Sequence, residues 1–149
     1  MPDSTLIVYE SAKRALLKGL IPLEGTALRA VLLGASYTPQ QQGHVTWADA
    51  VAHEVTGPGY TAGGRPLPPP VGVATYGSKT WLTIGSPVTW AGATLAAKYA
   101  LVVSSTVPEI VSDALLFAYL DLNPGGSSVA VSTGTLSLNW TDNLFLSLT

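Results

Sequence analysis

Glu54-Val55-Thr56-Gly57-Pro58-Gly59-Tyr60-Thr61-Ala62-Gly63-Gly64-Arg65-Pro66-Leu67 is the stretch around which the rest of the chain is organised. Four glycines and two prolines in so short a span exclude a helix and a regular central strand, because glycine weakens both and proline withholds a backbone donor. Glycine admits positive φ and proline fixes φ, so their alternation specifies an ordered turn where a serine-glycine linker would leave the path open. Tyr60, the one large side chain at its centre, is the expected anchor. Gly57, Gly59, Gly63 and Gly64 are the expected scaffold.

On either side of this loop the chain reads mainly as short strands. Residues 27–33 form an almost unbroken apolar run interrupted by Arg29, the pattern of a strand buried on both faces or at a subunit contact. Residues 34–43 read as a loop, and a short helical turn follows over 46–52, with Thr46 as cap and Asp49 in its first turn. After the loop, Pro66-Leu67-Pro68-Pro69-Pro70 reads as an extended, stiff connector. Residues 71–76 and 79–84 pattern as a hairpin around Gly77-Ser78. In 95–103, Lys98 marks an outer face and Leu95, Ala97, Tyr99, Leu101 and Val103 an inner one. In 115–122, Asp121 sets the opposite parity, so that Leu116, Ala118, Leu120 and Leu122 are expected in the core. Phe117 and Tyr119 are then expected on the outer side as contact residues. Pro124 to Ser128 reads as a turn. The C-terminal part alternates Leu136, Leu138, Trp140 and then Leu144, Leu146, Leu148 with polar or aromatic neighbours, and Thr141-Asp142-Asn143 between them supplies the turn chemistry of a hairpin.

One helix precedes the strands, over residues 10–18. Tyr9, Ala12, Leu16 and Leu20 share its apolar face, Glu10 or Ser11 starts it, and Gly19 ends it. The expectation is therefore a single domain over residues 1–149, mainly β: a β-sandwich or β-barrel of about seven to eight strands with one short N-terminal helix.

Composition narrows the functional classes. Of 149 residues only 11% are charged and 47% are hydrophobic, with 15 glycines and 11 prolines, against about a quarter charged in typical soluble proteins. So sparse a charge favours a surface covered by other subunits, that is, a homo-oligomer. A net charge of −2 without a basic patch argues against nucleic acid as partner. The absence of cysteine removes disulfide and thiol chemistry. The start, Met-Pro-Asp-Ser, is not a basic n-region, and no apolar run reaches the length of a membrane span, so no membrane association is expected.

Catalytic readings find little support in the spacing. The two histidines, His44 and His53, have no Gly-x-Ser-x-Gly elbow or cysteine to activate. Asp49, His53, Glu54 and His44 lie close enough in sequence to be considered as a metal set, but they lack a recognised ligand spacing, and a hydrogen-bonded surface cluster is the preferred reading. The glycine loop is not a phosphate loop, since no Gly-Lys-Ser/Thr follows and Pro58 removes a donor. No sequence feature selects a carboxylate pair for glycoside cleavage. Trp47, Trp81, Trp90 and Trp140 offer a sugar platform in principle, although their strand-like contexts fit core packing or a subunit seam better. Asn139-Trp140-Thr141 matches a glycosylation acceptor. No enzyme activity, cofactor or metal is expected.

An ordered series of residues carries a resemblance. It runs through Val8-Tyr9, Lys13 and Gly19, then Val31-Leu32-Leu33 and Tyr37-Thr38-Pro39. It continues through His44 and Trp47-Ala48-Asp49, residues 54–64 with Leu67, Val88-Thr89-Trp90, and residues 96–102. This series resembles a family of small virion structural proteins of tailed bacteriophages, with Gly-x-Gly-Tyr-Thr-Ala-Gly-Gly as its most specific part. Pro58 and the polyproline after Leu67 depart from the pattern. The resemblance implies a non-enzymatic particle component: a capsid decoration or minor capsid protein, or alternatively a tail, minor tail or head-tail neck component. Its implied partners are other virion proteins and copies of itself, such as a trimer, and its location is the virion, assembled in the bacterial host cytoplasm. A carbohydrate-binding adhesin module is the more distant alternative.

Overall fold

A computed structural model describes residues 6–20, 28–67, 72–76, 79–83, 87–104, 114–138 and 144–148. The chain is mainly β with one short helix. Its elements are β1 (Ile7–Val8), α1 (Glu10–Leu17), β2 (Leu28–Leu33), β3 (Arg65–Pro66), β4 (Gly72–Tyr76), β5 (Lys79–Thr83), β6 (Val88–Ala97), β7 (Tyr99–Ser104), β8 (Leu115–Asp121), β9 (Val129–Leu138) and β10 (Leu144–Leu148). Two 3-10 turns, Trp47–Asp49 and Val51–His53, occupy the place of the expected helical turn.

The strands form three antiparallel groups among the described residues: a five-stranded sheet in the order β1-β8-β7-β2-β3, a three-stranded sheet β10-β5-β4, and a ribbon β6-β9. Every residue of β2 is buried, Arg29 included. A central strand without exposed positions has no reason to alternate, hence its unbroken apolar run. The β6-β9 ribbon contributes Val88, Trp90, Ala93, Leu95, Ala97, Leu136 and Leu138 to the same buried cluster as the five-stranded sheet, in a two-layered, sandwich-like arrangement. The expected hairpin over 71–84 is present as backbone pairing of β4 with β5, Tyr76 opposite Lys79.

Helix α1 packs against β8 through Ala12 and Ala15, with Tyr9 buried at its start. It ends in a Schellman motif: Gly19, at φ +69°, donates its N–H to Leu16, and Leu20 donates to Ala15. The helix face differs from the expected one. Ala15, not Leu20, completes the buried stripe, because left-handed Gly19 turns the chain away and leaves Leu20 60% exposed, beside Leu17 at 91%.

Three expectations need correction. Residues 95–103 are two strands rather than one, broken at Lys98, which is buried and not outward-facing. Its amide donates to Leu33, its carbonyl accepts Leu122 N–H, and its Nζ donates to Asn123 O (2.6 Å), Gly126 O (2.9 Å) and Asp121 Oδ1 (2.8 Å). The lone lysine is thus a staple for the 122–128 turn. Second, Phe117 is fully buried, since β8 is covered on both faces and has no outer side there. Tyr119 is half-buried with its ring 5.3 Å from that of Tyr9. Third, β9 and β10 do not pair with each other: β9 pairs with β6, and β10 with β5. Residues 68–70, 77–78 and 139–143, with the expected polyproline, Trp140 and the Thr141-Asp142-Asn143 turn, lie outside the described residues, as does the Trp81 side chain.

Candidate functional site: the glycine loop on strand β2

The loop over residues 54–67 is an interrupted edge strand. It begins on β2, where Glu54 bridges Leu33 and Val55 N–H donates to Leu32 O at 3.0 Å. It returns to β2 through Arg29 opposite Pro66, Ala30 opposite Arg65, and Leu67 N–H on Leu28 O. Between these attachments it swings out to meet β6. One turn places Pro58 and Gly59 at its corners, with Tyr60 N–H on Gly57 O at 3.2 Å and Gly59 at φ +78°. A second runs from Thr61 to Gly64, N–H to O at 3.0 Å, with Gly63 at φ +89°. Both have positive φ at the third position, as type II turns require, and a proline at the second position suits the first. Pro58 O, freed by that turn, accepts Thr94 N–H of β6 at 2.9 Å.

Gly59 and Gly64 are required by proximity as well as by backbone. A Cβ on Gly59 would stand 2.7 Å from Ala93 Cα and from Gly92 O, and one on Gly64, at φ +65°, would collide with the carbonyl of Ala30. The loop therefore rests directly on the backbones of β6 and β2.

Three side chains hold this path. The Tyr60 hydroxyl accepts Leu32 N–H and donates to Glu54 Oε1, which also accepts Gly63 N–H at 2.7 Å. From the other side Arg29 donates through Nε to Gly63 O and through Nη2 to Gly64 O, each at 3.0 Å. Burial raises the Tyr60 pKa far above the ordinary tyrosine value, so its proton stays in place. Burial also lowers that of Arg29, opposed by Tyr60 and Glu54. A guanidinium remains charged at such a site, because its intrinsic pKa lies beyond 12. The Tyr60 ring lies 6.1 Å from that of Trp90, the buried floor of the arrangement.

The acids and histidines considered as a metal set are not brought together: no group of three or more His, Asp or Glu is poised around a cation among the described residues. Asp49 Oδ2 accepts Val45 N–H (2.8 Å) and Thr46 N–H (3.1 Å), bonds that lower its pKa. Glu54 serves the loop. His53 Nδ1 pairs with Ser36 Oγ at 2.9 Å, and His44 Nδ1 with Tyr37 Oη at 2.8 Å. Tyr37 in turn bonds Tyr9 Oη at 2.6 Å. These groups form a packed aromatic cluster around Tyr37, whose ring also meets His53 and Tyr99. Trp47 and Trp90 are buried and offer no exposed sugar platform.

Arg29 and Lys98 are the two determinants that sequence reading did not assign to their roles. The available signal was the same for both, a lone cation inside an apolar run, but each is held by two backbone carbonyls that no residue type announces. Comparison of the chain with protein-family models, curated proteins and solved structures finds no match.

Proposed function

We propose that this chain is a non-enzymatic structural protein of a tailed-bacteriophage virion, a decoration or minor capsid protein that binds the assembled shell as a symmetric oligomer. The observation that carries the reading is the exterior: an 11% charged composition together with Leu17 at 91% and Leu20 at 60% exposure at one end of α1. Large apolar side chains with that exposure gain most when a neighbour covers them. The hydrogen-bonded loop supports the same reading. Its side chains are spent on holding backbone, as in a rigid scaffold, and the Gly-Pro-Gly-Tyr-Thr-Ala-Gly-Gly series is the part of the chain that resembles the phage family. Stabilisation of a shell would come from subunits bridging neighbouring capsomers, each stable interface excluding on the order of a thousand Å².

The test pairs light scattering after size exclusion with binding to phage shells assembled without this chain. An oligomer that saturates those shells at a fixed copy number supports the proposal. A monomer that ignores them overturns it, and density at the neck or tail of a reconstructed particle would reassign the position within the virion.

A further inference from the structure

Among the described cations, Lys13 is paired with Glu10, Lys98 with Asp121, Arg29 is taken up by two loop carbonyls, and Arg14 and Lys18 are exposed on α1 and the turn after it, away from any depression. Arg65 is different. It is exposed, no carboxylate among the described residues pairs with it, and its Nη1 donates to Thr89 O of β6. That bond ties the guanidinium across from the loop to the ribbon, at the rim of an open depression of about 360 Å³ lined also by Gly59, Thr61, Gly64, Pro66, Trp90 and Ala91.

We propose that this depression binds a carboxylate carried next to a small apolar group, the chemistry of a polypeptide's C-terminal residue. A guanidinium presents five N–H donors in a planar fork, and one tether leaves an edge of that fork for the two oxygens of a carboxylate. Pro66 and Ala91, both exposed, supply apolar lining for the side chain beside it. The Trp90 indole N–H is buried and hydrogen-bonds to no described residue, and Trp90 belongs to the lining, so its resonance reports on the site. The walls are set in advance: Gly59 rests on Ala93 and Gly64 on Ala30, and the loop between is fixed by Glu54, Tyr60 and Arg29. Binding thus costs little ordering of the site. With one cation in its lining, the depression suits a monoanion better than a phosphate, which favours clustered charge. The volume falls at the lower end of small-ligand sites and accommodates about one residue. Such a site would operate whether or not the chain is a virion component.

The experiment is a two-dimensional NMR titration of the full chain with N-acetylalanine, N-acetylalanine amide, and N-acetylaspartate blocked as its α-amide. Saturable shifts of the Thr61, Gly64 and Trp90 indole resonances are expected with N-acetylalanine in the millimolar range, as a ligand of so few atoms allows. The neutral amide should leave them unmoved. Arg65→Gln, with its other resonances in place, should weaken the response about tenfold or more, the loss of a charge-assisted bond. Arg65→Lys, which keeps charge but not the fork, should weaken it too. Equal response to the neutral amide, an unchanged response in both variants, or no saturable shift overturns the site. Equal binding of the aspartate side chain overturns its assignment to a chain terminus.

Discussion

Tyr60 and Glu54 share one proton-donating contact of 2.7 Å, and through it the loop is closed onto β2, because the same hydroxyl accepts the Leu32 amide at 3.2 Å. Removing the hydroxyl leaves Leu32 N–H without its partner and Glu54 with one donor fewer. Tyr60→Phe is therefore expected to cost about 1–3 kcal/mol in urea unfolding, the range for a buried polar group left unpaired. Combined with Glu54→Gln it should show non-additivity of at least about 0.5 kcal/mol. Purely additive losses would mean the two side chains do not act as one clasp.

Glycine substitutions separate backbone strain from collision. Gly92 and Gly64 have nearly the same φ, +63° and +65°, but a Cβ on Gly92 meets nothing within 4 Å, whereas one on Gly64 meets the Ala30 carbonyl. Gly92→Ala should cost about 1–2 kcal/mol, the left-handed penalty alone. Gly64→Ala should exceed it by about 1–3 kcal/mol from overpacking. Equal losses would show that the loop can lift off β2 freely.

Lys98→Met leaves Asp121 unpaired and two turn carbonyls without their donor. The expected loss is about 2–3 kcal/mol, below the 3–5 typical of fully buried pairs because Asp121 keeps contact with water. Hydrogen exchange should report it locally, as an acceleration at the Leu122 and Gly126 amides that is larger than in β8 and β9.

Stability should fall at both ends of the pH range through different groups. Burial raises the pKa values of Tyr9 and Tyr60 above that of an unfolded tyrosine, so their contribution is complete below about pH 10 and is lost as pH rises beyond it. Asp49 has the opposite sign: its lowered pKa gives a contribution present above the unfolded carboxylate value of about 4 and lost as pH falls through the folded value. Tyr9→Phe should flatten the alkaline limb of an unfolding-versus-pH curve and Asp49→Asn the acid limb. An alkaline limb unchanged by Tyr9→Phe would show that this hydroxyl titrates normally in the folded chain.

The double variant Leu17→Ser, Leu20→Ser tests association apart from folding. Both side chains are mostly exposed, so the isolated chain should unfold within about 0.5 kcal/mol of the parent. Weaker self-association or weaker shell binding is expected in light scattering. Association as strong as the parent's would remove this end of α1 from any interface.

Strand identity was legible where burial is one-sided or complete. The unbroken run of β2 and the alternation of Leu136 and Leu138 both translate directly into the observed burial. The loop was legible as an ordered turn because glycine and proline carry their constraints within their own backbone. Partnership was not. Alternation in 95–103 cannot disclose that the chain changes sheet at Lys98, since a strand that ends and one that begins again have the same period. Phe117 was assigned outward from Asp121 by parity, a rule that holds only for a strand with one wet face, and α1 covers the other face of β8. Tyr60 was found from its size and isolation, whereas Arg29 and Trp90 depend on which backbone the fold brings past them.

The bond from Thr94 N–H to Pro58 O has a consequence for assembly by strand addition. With Pro58 accepting from mid-strand and Arg65 occupying the Thr89 carbonyl, the outward margin of β6 is engaged at two points, where a foreign strand would first have to displace the loop. The glycine loop thus also acts as a guard against edge-to-edge growth from β6, the hazard of an open strand margin.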